Sequence, residues 1–145
     1  MGQQQLLLIV LGVIIVGIAI AVGITMFRSD NQSSNRNQVI SDLERLGSIA
    51  QEYYQKPVSM AGGGGSFNNF ALSALDTGNA DGSFKPSTNP PNDADFMRGS
   101  TAPITTTAHT IYIIGYGKEI GNNGRQAVKA YAAVTPYSVT ITIMN

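Results

Sequence analysis

An apolar segment near the N-terminal end constrains this chain more than any other feature. Residues 1–27 contain no charged side chain, and across residues 6–27 only Thr25 interrupts the apolar run. At a rise of about 1.5 Å per residue, this segment makes a helix of roughly 33 Å, which matches the hydrocarbon core of a bilayer. Because a helix satisfies its own backbone hydrogen bonds in lipid, the segment predicts a transmembrane or filament-core helix over residues 1–28.

Three roles are open to this helix. A cleaved secretory signal is disfavoured because residues 1–5 carry no basic side chain, although residues 19–21 form an A-x-A cleavage pattern. The second role is a simple single-pass anchor. The third is a helix that spans the membrane first and later forms the core of a polymer. The third is favoured by small residues four positions apart, which let helix backbones approach closely. These pairs are Gly17 with Ala21 and Ala19 with Gly23.

Composition limits what the rest of the chain can be. Once the apolar helix is set aside, the 145 residues leave room for one small domain. Nine basic residues balance nine acidic ones without forming a basic cluster, so the sequence predicts no nucleic-acid partner. Cysteine is absent, which excludes disulfides, thiol nucleophiles and Cys-ligated zinc. We therefore expect stability to come from packing or assembly.

A polar stretch and a second helical pattern follow the apolar segment, and together they form the region 29–56. Residues 28–38 contain no apolar side chain and predict either the exposed part of a continuous helix or a short melted joint. Asn31 begins an N-glycosylation pattern, which would matter only outside the membrane. Beyond this stretch, apolar residues at three- and four-residue spacing predict an amphipathic helix. Its predicted apolar face holds Val39, Ile40, Leu43, Leu46, Gly47, Ile49, Ala50, Tyr53 and Tyr54.

The sequence marks the C-terminal end of the amphipathic helix more clearly than its start. Ser34, Asn37 or Ser41 can serve as its N-terminal cap, whereas Pro57 predicts a sharp end. The predicted polar face holds Asp42, Glu44, Arg45, Gln51, Glu52 and Gln55. For the pair Tyr53 and Tyr54, we favour a place over a small core rather than an exposed stacking surface.

Residues 57–145 predict a small globular head that is rich in β-structure and has long loops. Five of the six prolines lie in residues 57–103, which predict a surface loop region with one helical turn at 69–75. The glycine run 62–65 lacks the Lys and Ser/Thr of a phosphate loop, so a connector or a close approach between subunits is favoured over nucleotide binding. Residues 77–82 match a calcium loop only weakly because no Glu closes it.

The last 40 residues predict antiparallel strands. Residues 110–116 and 127–134 flank the hairpin-turn pair Asn123 and Gly124, and a last strand covers 137–144. In that strand Tyr137, Val139, Ile141 and Ile143 share the face predicted to be buried, and the other face is predicted to be wet. A sheet of three or four strands needs a cover, which the amphipathic helix supplies. The predicted fold class is α+β, a long N-terminal helix packed on a small antiparallel sheet.

Few residues in this chain are suited to catalysis. His109 is the single histidine, and the acidic residues are scattered without a pairing pattern. A lone histidine at the start of a strand is more often structural than catalytic. The sequence therefore predicts no enzyme, no cofactor and no metal site.

This layout resembles the type IV pilins and related filament subunits. The resemblance covers the whole chain in architecture, and in sequence pattern it covers residues 1 to about 56. It implies a homo-oligomeric filament at the cell surface, a membrane stage before assembly, and pilus assembly machinery as a partner. It also implies a prepilin peptidase that removes a short basic leader ending in Gly, and methylation of the new N-terminus.

The sequence departs from the family pattern at several positions. Family members carry a Glu at the fifth mature position; Gln5 occupies that place if Met1 is the first mature residue, and Leu7 does if cleavage follows Gly2. The helix-breaking Pro of bacterial members is absent, which leaves Gly12, Gly17 and Gly23 as soft points.

The expected function is a structural filament subunit whose helices 3–56 bundle, with the heads outside. The alternatives are a monomeric membrane-anchored surface protein with a binding head, and a minor pseudopilin of a secretion system. Arg28 and Arg36 follow the apolar helix and favour a cytoplasmic head by the positive-inside rule. We give more weight to the Gly, Ser, Thr and Asn content of the head, which is typical of a surface protein.

Overall fold

A computed structural model describes residues 2–92, 95–96, 99–121 and 123–145. The described residues form a long helix, one 3₁₀ turn (Val58–Met60) and a four-stranded antiparallel sheet in the order β1-β2-β3-β4. The α+β fold predicted from the sequence is confirmed. The elements are α1 (Gly2–Gln55), β1 (Gly82–Ser87), β2 (Ile111–Ile120), β3 (Ala127–Val134) and β4 (Val139–Ile143).

α1 is one continuous helix. The polar stretch 28–38 is helical throughout, so of the two alternatives for this stretch the continuous helix is correct. No helix begins at Ser34, Asn37 or Ser41, because α1 begins at Gly2 and runs through all three positions. Its last residue is Gln55, as the position of Pro57 predicts.

The glycine run 62–65 wraps around the C-terminal end of α1. The amides of Gly63, Gly64 and Gly65 donate to the carbonyls of Tyr53, Lys56 and Tyr54 at 2.7, 2.9 and 2.8 Å. A Cβ atom at Gly62 would collide with the Lys56 carbonyl oxygen, so this backbone path requires glycine at position 62. The close backbone approach is therefore to the chain's own helix, where it satisfies carbonyls that a helix end leaves unpaired.

One face of the second half of α1 packs on the sheet and forms the core. Val39, Leu43, Leu46 and Ala50 are fully buried, as their spacing predicts. The aromatic pair also packs against this core: the Tyr53 and Phe70 ring centroids are 5.4 Å apart, and those of Tyr54 and Phe67 are 4.8 Å apart. The preference for a core role of the two tyrosines is confirmed.

Asp42 does not lie on the solvent face where the sequence placed it. Its residue is 9% exposed, and its Oδ2 accepts a hydrogen bond from Asn79 Nδ2 at 2.6 Å. Arg45 lies 3.9 Å from Asp42 and 2.7 Å from Asp76. The prediction is wrong because the loop before β1 folds back on the helix and brings partners that are distant in sequence.

The region 57–103 is more than a surface loop. It contains β1, which the sequence did not predict because Pro86 lies within it. It also supplies Phe67, Phe70 and Phe84 to the core. Residues 69–75 do not form the predicted helical turn: Asn69 has φ of 63°, in the left-handed region, and residues 68–69 and 74–76 belong to two separate turns. The high proline and glycine content hid these anchoring aromatic residues.

The sheet face opposite α1 is not simply wet. Ile114 and Lys129 point away from the helix by strand alternation, yet they are 1% and 4% exposed. Phe96 covers this face: Lys129 Nζ lies 5.4 Å from its ring centroid, and Asp95 lies 3.8 Å from Lys85 Nζ. The prediction of one fully solvated face is therefore wrong in this part of the sheet.

The strand predictions differ in accuracy. β3 has the predicted bounds, whereas β2 continues beyond the predicted end to Ile120, with an irregularity between Tyr116 and Ile120. β4 is shorter than predicted. Val139 and Ile141 pack against the core, but Tyr137 lies before the strand and is 95% exposed, and Ile143 is 46% exposed. The buried face of β4 is thus limited to its first half.

Candidate functional site: the bare apolar helix and its junction with the head

The first half of α1 makes an apolar surface that the chain itself leaves uncovered. We call residues 2–27 the bare segment, and every one of them is exposed. Large apolar side chains there have exposed fractions from 46% at Val22 to 71% at Leu7. Continuous apolar surface of this extent marks contact with a membrane or another protein. The helix is long and apolar enough to cross a membrane.

All the residues predicted to serve assembly lie on the bare segment. A Cβ atom built at Gly12, Gly17 or Gly23 has no neighbour within 4 Å, so these positions offer open space to another helix. The remaining predicted positions, Gln5, Leu7, Ala19 and Ala21, are also exposed. The structure places these residues on one rod but gives none of them a contact partner in the head.

The small residues form two flat faces on the bare segment. At about 100° per residue, Gly17 and Ala21 share one side of the helix, and Ala19 and Gly23 share a nearly opposite side. Close approach of a neighbouring helix is therefore open on both sides at the same depth. A helix with two such faces can contact two neighbours at once.

Thr25 is the polar interruption of the apolar run, and its hydroxyl is satisfied locally. Its Oγ1 donates to the Val22 carbonyl at 2.8 Å and lies 3.3 Å from the Ala21 carbonyl. A hydroxyl bonded back to its own helix can enter an apolar environment without leaving a donor unpaired.

Asn35 is the first residue of α1 that is buried against the head. It is 7% exposed; its Nδ2 donates to the Asp81 carbonyl at 2.8 Å, and its Oδ1 accepts from the Glu119 amide at 3.3 Å. A Cβ atom at Gly117 would collide with Asn35 Oδ1, so glycine leaves room for this amide. We call this set of contacts the Asn35 clamp. Sequence reasoning missed it because a polar residue within a polar stretch gives no local signal of burial.

Asn31 lies one turn before the Asn35 clamp and is half-buried. It lines a polar cleft together with Ala80, Asp81 and Lys118. Its proposed glycosylation stays a prediction.

The residues weighed for chemistry have structural partners. His109 Nδ1 lies 3.1 Å from the Tyr54 hydroxyl, at the C-terminal end of α1. Asn79, in the weak calcium pattern, accepts the amides of Asp81 and Gly82 on its Oδ1, both at 2.9 Å. Among the described residues, no group of three or more His, Asp or Glu side chains is placed to hold a metal. The absence of enzymatic activity stays a prediction.

Comparisons with protein-family models, with curated proteins and with solved structures find no match for this chain. Its likeness to the type IV pilins is therefore one of layout. The shared layout is a long N-terminal helix, apolar in its first half, whose second half packs on a small antiparallel sheet.

Proposed function

We propose that this chain is the structural subunit of an extracellular filament similar to type IV pili. Residues 3–56 would bundle with the same helices of other copies in the filament core, and the β-rich heads would face outward. Before assembly the bare segment would span a membrane.

The rigid connection between the bare segment and the head carries this proposal. A plain anchor needs only length and hydrophobicity, and a flexible linker to its head is sufficient. A lattice subunit must also fix the orientation of its head relative to its helix. In this chain no glycine or proline lies between Ile24 and Leu46, and the Asn35 clamp fastens the helix to the loop before β1 and to β2.

The two flat faces of the bare segment support a bundle of many helices. A helix with one small-residue face makes a pair, whereas contacts on two nearly opposite faces can propagate from copy to copy. Lipid tails are as apolar as the side chains, so the gain on leaving lipid comes from close packing between helices.

The resemblance supplies the expected partners and location. A prepilin peptidase, the assembly machinery and methylation of the mature N-terminus belong to the proposal on that ground. So does a cell-surface filament made of many copies of this chain.

The first test is microscopy of sheared cell-surface material, with mass spectrometry of the N-terminus of the recovered protein. Gly17→Leu and Gly23→Leu each fill a flat face and should abolish filaments while the head unfolds at an unchanged temperature. Val22→Leu is the matched control, because it adds a methylene on the flank between the faces, and it should leave filaments intact.

The outcomes separate the alternatives. Normal filaments from both glycine variants would contradict bundling through these faces. A wild-type chain found only as a monomer in membranes would favour the anchored surface protein. A filament in which this chain is a trace component would favour the minor pseudopilin.

A further inference from the structure

The hairpin between β2 and β3 reaches back to the bare segment. A groove of about 530 Å³ separates the two: Thr25, Arg28 and Ser29 line it on the helix side, and Ile120, Gly121 and Gly124 line it on the hairpin side. We call the described residues 118–121 and 123–126 the hairpin tip. It is the part of the head that approaches the apolar run.

The depth of the hairpin tip follows from the helix residues that it faces. Thr25 lies in the last turn of the apolar run, and Arg28 is the first charged residue after it. The two are only about 4.5 Å apart along the helix axis. A group that faces both residues must therefore lie at the boundary between hydrocarbon and headgroups whenever the bare segment spans a bilayer.

The side chains of the hairpin tip suit that boundary. Ile120 is a large apolar residue with 56% exposure, on the groove side that faces the bare segment. Arg28 lines the same groove and Arg125 follows in the hairpin, and both are exposed basic residues. Glu119 is an exposed acidic residue of the same groove, and the Lys118 ammonium is held at the Asn79 carbonyl, 2.9 Å away. An apolar side chain flanked by cations is the chemistry that binds an anionic lipid surface.

The hairpin tip also has a preformed shape. The amides of Gly121 and Gly124 donate to the carbonyls of Gln126 and Gly121 at 2.6 and 3.0 Å. Asn123 Oδ1 accepts the amides of Arg125 and Gln126 at 3.1 and 2.9 Å. Little backbone ordering is needed for such a tip to bind, because its turn is already closed.

We propose that the hairpin tip is a second membrane contact of this protein, in which Ile120 enters the bilayer interface and Arg28 and Arg125 bind anionic lipid headgroups. The proposal rests on the membrane-stored stage of the proposed function. It means that the head lies against the bilayer before assembly, rather than standing free at the end of its helix.

The absence of tryptophan from the chain allows a direct test. Ile120→Trp places a single fluorescent probe on the hairpin tip of the full chain, reconstituted in phosphatidylcholine–phosphatidylglycerol vesicles that carry brominated acyl chains. We expect blue-shifted emission and quenching by bromines near the headgroup end of the chains. Ile14→Trp, in the bare segment, should be quenched by the deepest bromines. Tyr137→Trp, at a 95% exposed position of the head, should not be quenched.

Two failures can be told apart. Quenching of Ile14→Trp without quenching of Ile120→Trp would overturn the hairpin-tip contact and leave membrane storage intact. No quenching of Ile14→Trp would remove the membrane stage itself.

A second variant tests the headgroup contact. In the Ile120→Trp protein, the added substitution Arg125→Gln should weaken the quenching of the tryptophan in vesicles that contain phosphatidylglycerol. The control substitution Lys56→Gln, made in the same protein just beyond the C-terminal end of α1, should leave that quenching unchanged. Equal quenching in all three proteins would contradict the role of Arg125.

Discussion

At the scale of single residues, Asn35 decides how the helix joins the head. Both ends of its side-chain amide are used by backbone groups, the Asp81 carbonyl and the Glu119 amide, which lie 46 and 84 positions away in sequence. Removing the side chain leaves both groups in a partly buried place without a partner. An unpaired buried donor or acceptor costs more than an average hydrogen bond contributes.

We therefore expect Asn35→Ala to lower the free energy of unfolding by about 1–3 kcal/mol. Asn37→Ala, at an exposed position two residues on, should change it by less than about 0.5 kcal/mol. Urea denaturation of the full chain in detergent, monitored by the near-ultraviolet circular dichroism of its tyrosines, measures both free energies. Equal values for the two variants would contradict the clamp.

Gly47 is a second residue whose role depends on a distant neighbour. On an open helix surface, Gly→Ala is worth about 1 kcal/mol of added stability. At Gly47, however, the new Cβ would lie 2.7 and 2.9 Å from the two methyl groups of Val139. We expect Gly47→Ala to destabilise the protein by about 1–3 kcal/mol through overpacking.

The control for Gly47 is a double-mutant cycle. In the Val139→Ala background the obstructing methyl groups are gone, so Gly47→Ala should become neutral or stabilising there. The same urea denaturation measures the coupling. Additive effects of the two substitutions would show that Val139 is not the obstacle.

The bare segment could be predicted from the sequence, and the junction could not. Charge-free length and small-residue spacing are local properties, so they identified the apolar helix and its small-residue pairs directly. Asn35 and Asp42 were missed because their burial depends on the loop before β1 and the end of β2. Those partners are distant in sequence and meet the helix only once the chain has folded.

At the scale of elements, α1 continues through a stretch that helix propensity alone leaves undecided. Ser, Asn and Asp compete for backbone hydrogen bonds within residues 28–38, yet the stretch is helical from end to end. A helix already formed in the bare segment removes the cost of a new nucleus, and the Asn35 clamp holds the other side. The helix is therefore continuous through residues 28–38 because the bare segment supports it on one side and the Asn35 clamp on the other.

Ser33→Pro tests whether that continuity matters. Proline there removes one helical hydrogen bond and kinks the helix, at a cost of about 3 kcal/mol, outside the packed core. We expect loss of filaments with an intact head, since a kink reorients the head relative to the bare segment. Ser33→Ala should assemble normally. Normal filaments from Ser33→Pro, seen by negative-stain microscopy, would show that assembly does not require a straight connection between the bare segment and the head.

Strand identity depended on composition in the same way. β4 was found because its side chains alternate, and β3 was found because it follows the Asn123 and Gly124 hairpin turn. β1 was missed because Pro86 and the surrounding turn residues argue against a strand. The structure tolerates this proline because β1 lies at a sheet edge, where one side needs no partner.

β4 forms the other edge of the sheet, and it lacks the usual protection of an edge. In the described part of the chain it pairs with β3 alone, and residues 130–145 contain no charged side chain. Uncharged edge strands are prone to pairing with other chains. We expect Thr140→Lys to reduce thermal aggregation, measured by light scattering. Thr101→Lys, the same charge change in an exposed loop, should have little effect.

At the scale of the whole molecule, the apolar rod and the folded head are separable. Every residue of α1 that is buried lies at Asn35 or beyond. We expect residues 28–145 alone to be soluble, monomeric and cooperatively folded, because the core is complete without the bare segment. Size-exclusion chromatography with light scattering gives the mass, and circular dichroism gives the unfolding transition. Specific oligomers of this fragment would place assembly in the head instead.

The packing of α1 along the sheet also sets how the molecule would respond to force. A pull along the helix axis loads the contacts of Val39, Leu43, Leu46 and Ala50 together, in shear, because all four lie along one stripe. A pull across the axis at the bare segment would strain the Asn35 clamp first and release the stripe one turn at a time. Single-molecule stretching should therefore find a stiff direction along the rod and a weak one across it.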